Sequence, residues 1–370
     1  MLRCNILTIF LAFSLLAGAQ YWKVVRENPQ KAFLKTVAAG NYSGIAHLHD
    51  DIYAVVSDKS DSALYFNFRI QVNPKTGELE QVENLGFTER TDGTLNDGKP
   101  WLGLEKGFDH EAIVKVSDST LVIASEGYCR LKEYPILPIS ADAAKVGYPQ
   151  NLLESRWPSS DFDSIRQYLW TIPESTLRKD GQPATPQNGL TNQLRLMRLN
   201  WGKMKEDSNK KEYSEQVSSK KDSRYMTTYA YQMDQPSTHK KADIYVMGVS
   251  ELCALPDGQL LVLEREAFIP KIKIGAFCKC KLYLVNPLNS ENISMKEKFS
   301  SDTPFLKKKL LTEWKTSLSL SKRSFANYEG MCLGPKLEDG SQVVILLSDS
   351  QDQYAGVLKD WFKTIVIRKE

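Results

Sequence analysis

Acidic residues recur at matched places along this chain. Ser43-Gly44-Ile45 is followed by Ser57-Asp58. Asp109-His110-Glu111-Ala112-Ile113 is followed by Ser125-Glu126-Gly127. A weaker copy runs Asn151-Leu152-Leu153-Glu154-Ser155, then Glu174-Ser175-Thr176. The next copies are Ser250-Glu251-Leu252 with Glu264-Arg265-Glu266, and Tyr328-Glu329-Gly330-Met331 with Ser348-Asp349-Ser350. Carboxylates brought close together repel and lose hydration, so they need a cation, an arginine or a shared proton. A hard cation taking six to eight oxygens, such as calcium, suits them. Asp58, Glu111, Glu126, Glu251, Glu264, Glu329 and Asp349 are the candidate ligands. His110 is a candidate acid or phosphate donor, and Arg265 a candidate bidentate clamp on an anion. Glu111 joins them as a catalytic candidate. Plainer roles stand beside these. The acids can cap backbone amides between repeats, His110 can bond a neighbouring sheet, and Arg265 can pair with its own acidic neighbours.

Each acidic pair flanks a β-hairpin. Ile45–Leu48, Ile52–Val56, Ala63–Val72 and Glu78–Val82 read as four short strands. Asn73-Pro74-Lys75-Thr76-Gly77 supplies a turn between the last two. Four antiparallel strands in this span make one propeller blade. The hairpin recurs at 112–116 with 121–124, at 252–255 with 260–263, and at 331–333 with 343–347. In a hairpin, the residue that begins the first strand lies beside the residue that ends the second. If the hairpins are the inner strands of successive blades, the acids converge on one mouth of a central channel. The fold expected is therefore all-β, a β-propeller with short helical or loop insertions. At roughly 40–60 residues per blade, six four-stranded blades fit the length best, with five or seven left open. Helical insertions are expected near Ser160–Tyr168 and Ser301–Trp314. The Lys-rich stretch Lys203–Lys221 reads as a solvated loop or hairpin tip.

Arg3, the apolar run Ile6–Leu16 and Ala17-Gly18-Ala19 read as a cleaved signal peptide over residues 1–19. Residues 20–370 are then one propeller domain that is secreted or periplasmic, and monomeric. No second apolar stretch is long enough to span a membrane. The 48 basic and 45 acidic residues nearly balance, which argues against a nucleic-acid partner. The odd cysteine count left after cleavage points to buried free thiols, with Cys278 and Cys280 as strand residues. No G-x-S-x-G elbow, H-E-x-x-H pair, P-loop or dinucleotide fingerprint is present.

The hairpin motifs together resemble the phytase-like esterase family. The resemblance rests on Ser43-Gly44-Ile45 with Tyr53-Ala54-Val55-Val56-Ser57-Asp58, and on Asp109-His110-Glu111-Ala112-Ile113 with Ala124-Ser125-Glu126-Gly127. It extends to Leu260-Leu261-Val262-Leu263-Glu264-Arg265 and Asn327-Tyr328-Glu329-Gly330-Met331, and spans roughly Gly40 to Ile367. The third motif departs from the family pattern: Asn151 and Glu154 remain, but Leu152-Leu153 replace its middle. The resemblance implies a propeller, often exported, with an activity named by analogy to phytases. The expectation is a hydrolase of phosphate or carboxylic esters acting on a small anionic substrate, with a calcium-binding acidic channel. Two alternatives stay open: a non-catalytic propeller that binds a ligand or partner, and a lactonase-like propeller using Asn151 or Asn327.

Overall fold

The computed structural model describes residues 21–58, 65–87, 110–125, 130–135, 146–147, 159–163, 168–208, 225–319, 323–350 and 358–370. The signal-peptide reading of residues 1–19 lies outside them. The chain begins with β1 (Trp22–Glu27), then β2 (Tyr42–His49), β3 (Ile52–Ser57), β4 (Phe66–Val72) and β5 (Leu79–Phe87). There follow β6 (His110–Ser117), β7 (Thr120–Ser125), β8 (Arg130–Pro135) and β9 (Val146–Gly147). Next come β10 (Ser159–Asp163), β11 (Tyr168–Ile172), β12 (Gln193–Asn200), the helix α1 (Trp201–Ser208) and β13 (Met226–Gln232). The last strands are β14 (Ile244–Ala254), β15 (Leu260–Ile269), β16 (Ala276–Val285), β17 (Lys308–Leu318), β18 (Asn327–Lys336), β19 (Gln342–Asp349) and β20 (Phe362–Lys369).

These strands form five four-stranded antiparallel sheets among the described residues. Four are consecutive meanders: β2 to β5, β6 to β9, β10 to β13, and β14 to β17. The fifth has the order β1-β20-β19-β18, so the N-terminal strand completes the last blade and ties the two ends of the chain together. The inner strands neighbour one another in a cycle, β2, β6, β10, β14, β18 and back to β2. Five apolar clusters fill the five spaces between adjacent sheets. One joins Tyr42, Phe66 and Phe68 to Val343, Ile345 and Phe362, across the first and last blades. The others join blades 4 and 5, 3 and 4, 2 and 3, and 1 and 2. A face of each sheet would stay wet without its neighbour, so burial drives closure of the ring.

The described residues hold five blades where six was the preferred expectation. Each blade takes roughly 70 residues here, well above the 40–50 of common propeller repeats. Long connections and ten- or eleven-residue strands in blade 4 account for the extra length. Two helical expectations are also corrected. Of Ser160–Tyr168, the described residues lie in β10 and at the start of β11, and Lys308–Trp314 lies in β17. The repeated lysines of β17 sit on an outer strand that pairs only with β16, a common way to protect a sheet edge. The α-helix among the described residues, α1, begins just before the Lys-rich stretch and takes in Lys203–Ser208, which were expected as loop; residues 209–221 of the stretch lie outside the described residues. Cys253, Cys278, Cys280 and Cys332 are buried free thiols, as expected.

Candidate functional site

A single irregularity repeats at one end of the inner strands. The pairing of β2 with β3 slips between Tyr42 and Gly44, and that of β6 with β7 slips between His110 and Ala112. The pairing of β14 with β15 slips between Val249 and Glu251, and that of β18 with β19 between Tyr328 and Gly330. Four bulged residues result: Ser43, Glu111, Ser250 and Glu329. A bulge leaves one residue unpaired and re-aims its side chain. Here Glu111, Ser250 and Glu329 line one cleft, while Ser43 is buried against the neighbouring blade. Glycines allow the close approach this needs. A Cβ on Gly44 would lie 2.9 Å from the Ala112 backbone, and one on Gly248 would lie 2.5 Å from the Glu174 carbonyl oxygen. Two hydrogen bonds stitch the same rim: Ser43 Oγ donates to the His110 carbonyl at 2.5 Å, and Val249 N to the Glu174 carbonyl at 3.0 Å.

Register also fixes the partner position on the second strand. Tyr42 faces Ser57, His110 faces Ser125, Val249 faces Glu264, and Tyr328 faces Ser348. The residue that follows is Asp58 in blade 1, Asp349 in blade 5 and Arg265 in blade 4. Arg265 thus takes the place an acid holds elsewhere. Its Nη1 donates to Asn327 Oδ1 at 2.8 Å and to Glu329, and its Nη2 to Glu174. Asn327 Nδ2 donates to Glu329 Oε1 at 2.6 Å. Arg265 is only 6% exposed, and its Nε has no hydrogen-bond acceptor among the described residues. Burial works against its charge, but Glu174 and Glu329 outweigh that and raise its pKa. Glu329 is pushed up to about 7, by burial first, then by Asp58 and Glu174 against the pull of Arg265.

Above this group lies a cleft of about 240 Å³. Its floor is Glu111, Glu174, Ser250, Arg265, Asn327 and Glu329, and its wall is Ile244, Val246, Ala267, Ile269 and Phe325, with Val249 between. Of the residues expected at the mouth, Glu111, Arg265 and Glu329 line the cleft, and Asp58 is close enough to act on Glu329.

Others are placed differently. Glu264 stands one residue before the ring position and so faces the opposite side of β15. It accepts from Tyr231 Oη at 2.7 Å and Lys308 Nζ at 2.6 Å, between blades 3 and 4. Glu251 follows the bulge rather than occupying it; it is buried, and its Oε1 accepts from the Leu252 amide. His110 and Asp349 are buried and do not line the cleft. Glu126 lies outside the described residues. Glu174, which closes the weakest sequence copy, was absent from the expected ligands and catalytic groups but reaches the centre. The order Thr171-Ile172-Pro173-Glu174 parallels Val55-Val56-Ser57-Asp58, and that parallel was its signal.

Calcium needs six to eight oxygens around one point. Here a buried guanidinium already bridges the two central carboxylates. Among the described residues, no three His, Cys, Asp or Glu side chains gather so as to hold a metal. The described donors, as arranged, do not fit a divalent cation.

Five radial sheets around an Arg-centred acidic mouth make this chain a β-propeller. The chain belongs to the phytase-like family, whose model, described as esterase-like activity of phytase, matches residues 37–351. No curated protein matches it. Among solved structures it is similar to a streptogramin B lyase, at 10% identity over 95% of this chain and 98% of that one, with a TM-score of 0.31. Virginiamycin B lyase from Staphylococcus aureus gives 9%, 93%, 99% and 0.33 for the same quantities. A member of the DUF4221 family from Bacteroides vulgatus gives 7%, 94%, 98% and 0.34. Likenesses this weak carry no argument, and the fold rests on strand pairing. No helix among the described residues is long and apolar enough to cross a membrane.

Proposed function

We propose that this chain is an ester hydrolase working at the propeller mouth, with Glu329 as the proton carrier. The observation that carries the reading is the place of the Glu329 carboxyl on the floor of a cleft, held between Arg265 and Asn327, where burial pushes it up to about 7. A base whose pKa lies near working pH exchanges protons best. Ionised Glu329 takes a proton from water, and the water oxygen bonds to the ester carbonyl carbon. As the tetrahedral intermediate collapses, the carbon–alkoxide bond breaks and the leaving alkoxide takes the proton back. Arg265 and Asn327 act as positioning residues that fix the Glu329 carboxyl.

Carboxylic esters suit this mouth better than phosphate esters. The Arg265 guanidinium is already engaged by Glu174 and Glu329, so it is not free to clamp a phosphate dianion, which those carboxylates also repel. The signal-like segment over residues 1–19 supports a secreted or periplasmic setting, which N-terminal sequencing of exported protein would check. A second reading, a binding propeller without turnover, is favoured by the cleft lining, which holds no Cys or His among the described residues.

The test is purified protein assayed on p-nitrophenyl butyrate and on phytate, with and without chelator. The expected result is chelator-resistant hydrolysis of the butyrate ester, reduced at least ~100-fold by Glu329→Gln, a loss within the range for general-base removal. A Glu329→Gln protein that keeps its full rate would refute the role of Glu329. Folded wild-type protein with no ester turnover would leave the binding reading.

A further inference from the structure

Blade 4 stands higher than the ring it belongs to. Its strands β14 and β15 stay paired beyond the bulge, from Val249–Glu264 out to Ile244–Ile269, and the chain then turns at 270–275 into β16. Isoleucine is among the residue types most often fully buried. Three isoleucines are exposed among the described residues, Ile244, Ile272 and Ile274, and all three lie at this raised end. Ile272, 74% exposed, and Ile274 are on the turn itself, and Ile244 pairs with Ile269, two residues before the turn's lysine Lys271. Apolar side chains exposed singly are ordinary, but three on one projecting edge form a patch.

The turn is built to hold them out. Lys273 N donates to the Pro270 carbonyl at 2.8 Å, Ile274 N to the Ile272 carbonyl at 2.8 Å, and Ala276 N to the Lys273 carbonyl at 3.1 Å. A Cβ on Gly275 would meet no described atom within 4 Å, so the tip projects. The charge around it has mostly one sign. Gly275 N donates to the Leu318 carbonyl, and Leu318 bridges to Arg323, which is exposed beside the tip. Lys273 reaches Asp243 at 3.2 Å, which ties in the connection that leads to Ile244. Across residues 239–244, 270–275, 318, 319 and 323, Lys240, Lys241, Lys271, Lys273 and Arg323 stand against Asp243 alone.

We infer that this edge docks the protein on an anionic lipid bilayer, with Ile272 and Ile274 below the headgroups, Ile244 at their margin and the lysines at phosphate level. A projecting turn of isoleucines is a wedge rather than a groove, and apolar area with basic flanks is what binds an anionic membrane surface. Lysine stems lie along apolar surface while their ammonium groups stay wet, so the two kinds of residue act together. Each Lys or Arg near an anionic surface strengthens binding about fivefold. Ile244 and Ile269 also line the cleft, so docking sets the propeller mouth beside the bilayer. The assignment does not depend on the hydrolase reading, because a binding propeller would dock by the same edge.

Co-sedimentation of the purified chain with vesicles tests this. Vesicles of phosphatidylcholine alone are compared with vesicles that also contain phosphatidylglycerol. The anionic vesicles are expected to bind at least ~tenfold tighter, and added salt to weaken them. Changing Ile272→Ser and Ile274→Ser together should weaken binding at least ~tenfold, and Lys271→Gln about fivefold, with melting temperatures unchanged. Met295→Ser is the control. Met295 is 87% exposed on the connection from β16 to β17, at the other end of the blade, and its loss should leave binding as it was. Equal binding to both vesicles, binding to neither, or an equal loss in Met295→Ser would overturn the assignment. So would self-association that Ile272→Ser abolishes in place of vesicle binding, which would give the edge to a second copy of this chain. Ester turnover is not read, so this outcome and that of the hydrolase test are independent.

Discussion

Replacing Arg265 by Met should expose how the mouth is held together. Met keeps much of the side chain's bulk but removes the charge. Glu174 and Glu329 then lose their shared cation, while Asp58 still acts on Glu329. Breaking a buried ion pair by removing one partner costs roughly 3–5 kcal/mol. The Glu174 side chain is 31% exposed and that of Glu329 15%, so water recovers part of the loss, and ~3 kcal/mol at pH 8 is the working figure. The pH dependence is the sharper part. The Glu329 pKa is raised in the folded protein, so its protonation favours folding. That contribution is complete below the carboxyl's ordinary range and is lost as pH rises through about 7. Arg265 pulls this pKa down. Without it the window extends higher, and the variant's deficit should be small at pH 5 and largest near pH 9. Urea denaturation of both proteins at pH 5, 7 and 9 measures this. A deficit below ~1 kcal/mol, the scale of an exposed pair, or one independent of pH, would refute the reasoning. Adding Glu329→Gln to Arg265→Met should restore part of the stability by removing the stranded charge.

Three further outcomes are expected. Asp360 is 6% exposed, and burial pushes its carboxyl up to about 7 against hydrogen bonds from Ser350 and Gly40; Asp360→Asn should therefore be more stable than the parent at pH 8 by up to about 4 kcal/mol and nearly equal at pH 4, in paired denaturation curves. An Asn variant that is no more stable at pH 8 would show that the ionised carboxylate is well accommodated. Gly248→Ala forces a methyl to within 2.5 Å of the Glu174 carbonyl oxygen and should cost about 1–3 kcal/mol; an unchanged melting temperature would contradict the close packing of blades 3 and 4. Glu264→Gln removes one of the two carboxylates on Lys308, which keeps Asp234, and should cost about 1–3 kcal/mol with or without calcium; a change confined to calcium-containing buffer would return Glu264 to the mouth.

The first blade was legible almost strand by strand. Its turn at Asn73–Gly77 is written in local chemistry: Asn73 Oδ1 accepts from the Lys75 and Thr76 amides, and Gly77 takes a positive φ. One strand alternates, at Ala63–Val72, and the short apolar runs Ile45–Leu48 and Ile52–Val56 are bounded by turns, so pattern and turns together find them. Blade 3 was not legible in this way. Its inner strand, Ser-Ser-Asp-Phe-Asp, carries one apolar residue, and its outer strand β13 lies across a long polar insertion. The candidate acids failed for a different reason. Hairpin alignment finds the right end of the sheet, and the bulge falls at Ser250 as it does at Ser43, Glu111 and Glu329, but the acids of blade 4 stand one residue off the ring positions. A slip of one residue sends a side chain to the other face. Glu251 and Glu264 were therefore the conspicuous acids, while Ser250 and Arg265 hold the ring positions. Nothing local in a sequence marks a bulge of this kind.

That shift explains how the ring tolerates its own charge. Five blades each delivering carboxylates to one mouth would repel strongly in a partly dry setting. Blade 4 resolves this by substitution within the repeat: Arg265 stands where Asp58 and Asp349 stand, and its guanidinium reaches acids from blades 3 and 5. The displaced acid, Glu264, is neutralised separately by Lys308. Blade 4 is also the blade whose hairpin rises past the ring to wall the cleft. In a ring of similar units, stability comes from what every unit shares, the inter-sheet clusters and the bulged rim. A site that distinguishes one ligand from another needs an asymmetry. Here the cation and most of the apolar wall come from blade 4, so the strongest effects on recognition should follow changes in β14 and β15, and changes at equivalent positions of other blades should act mainly on the ring.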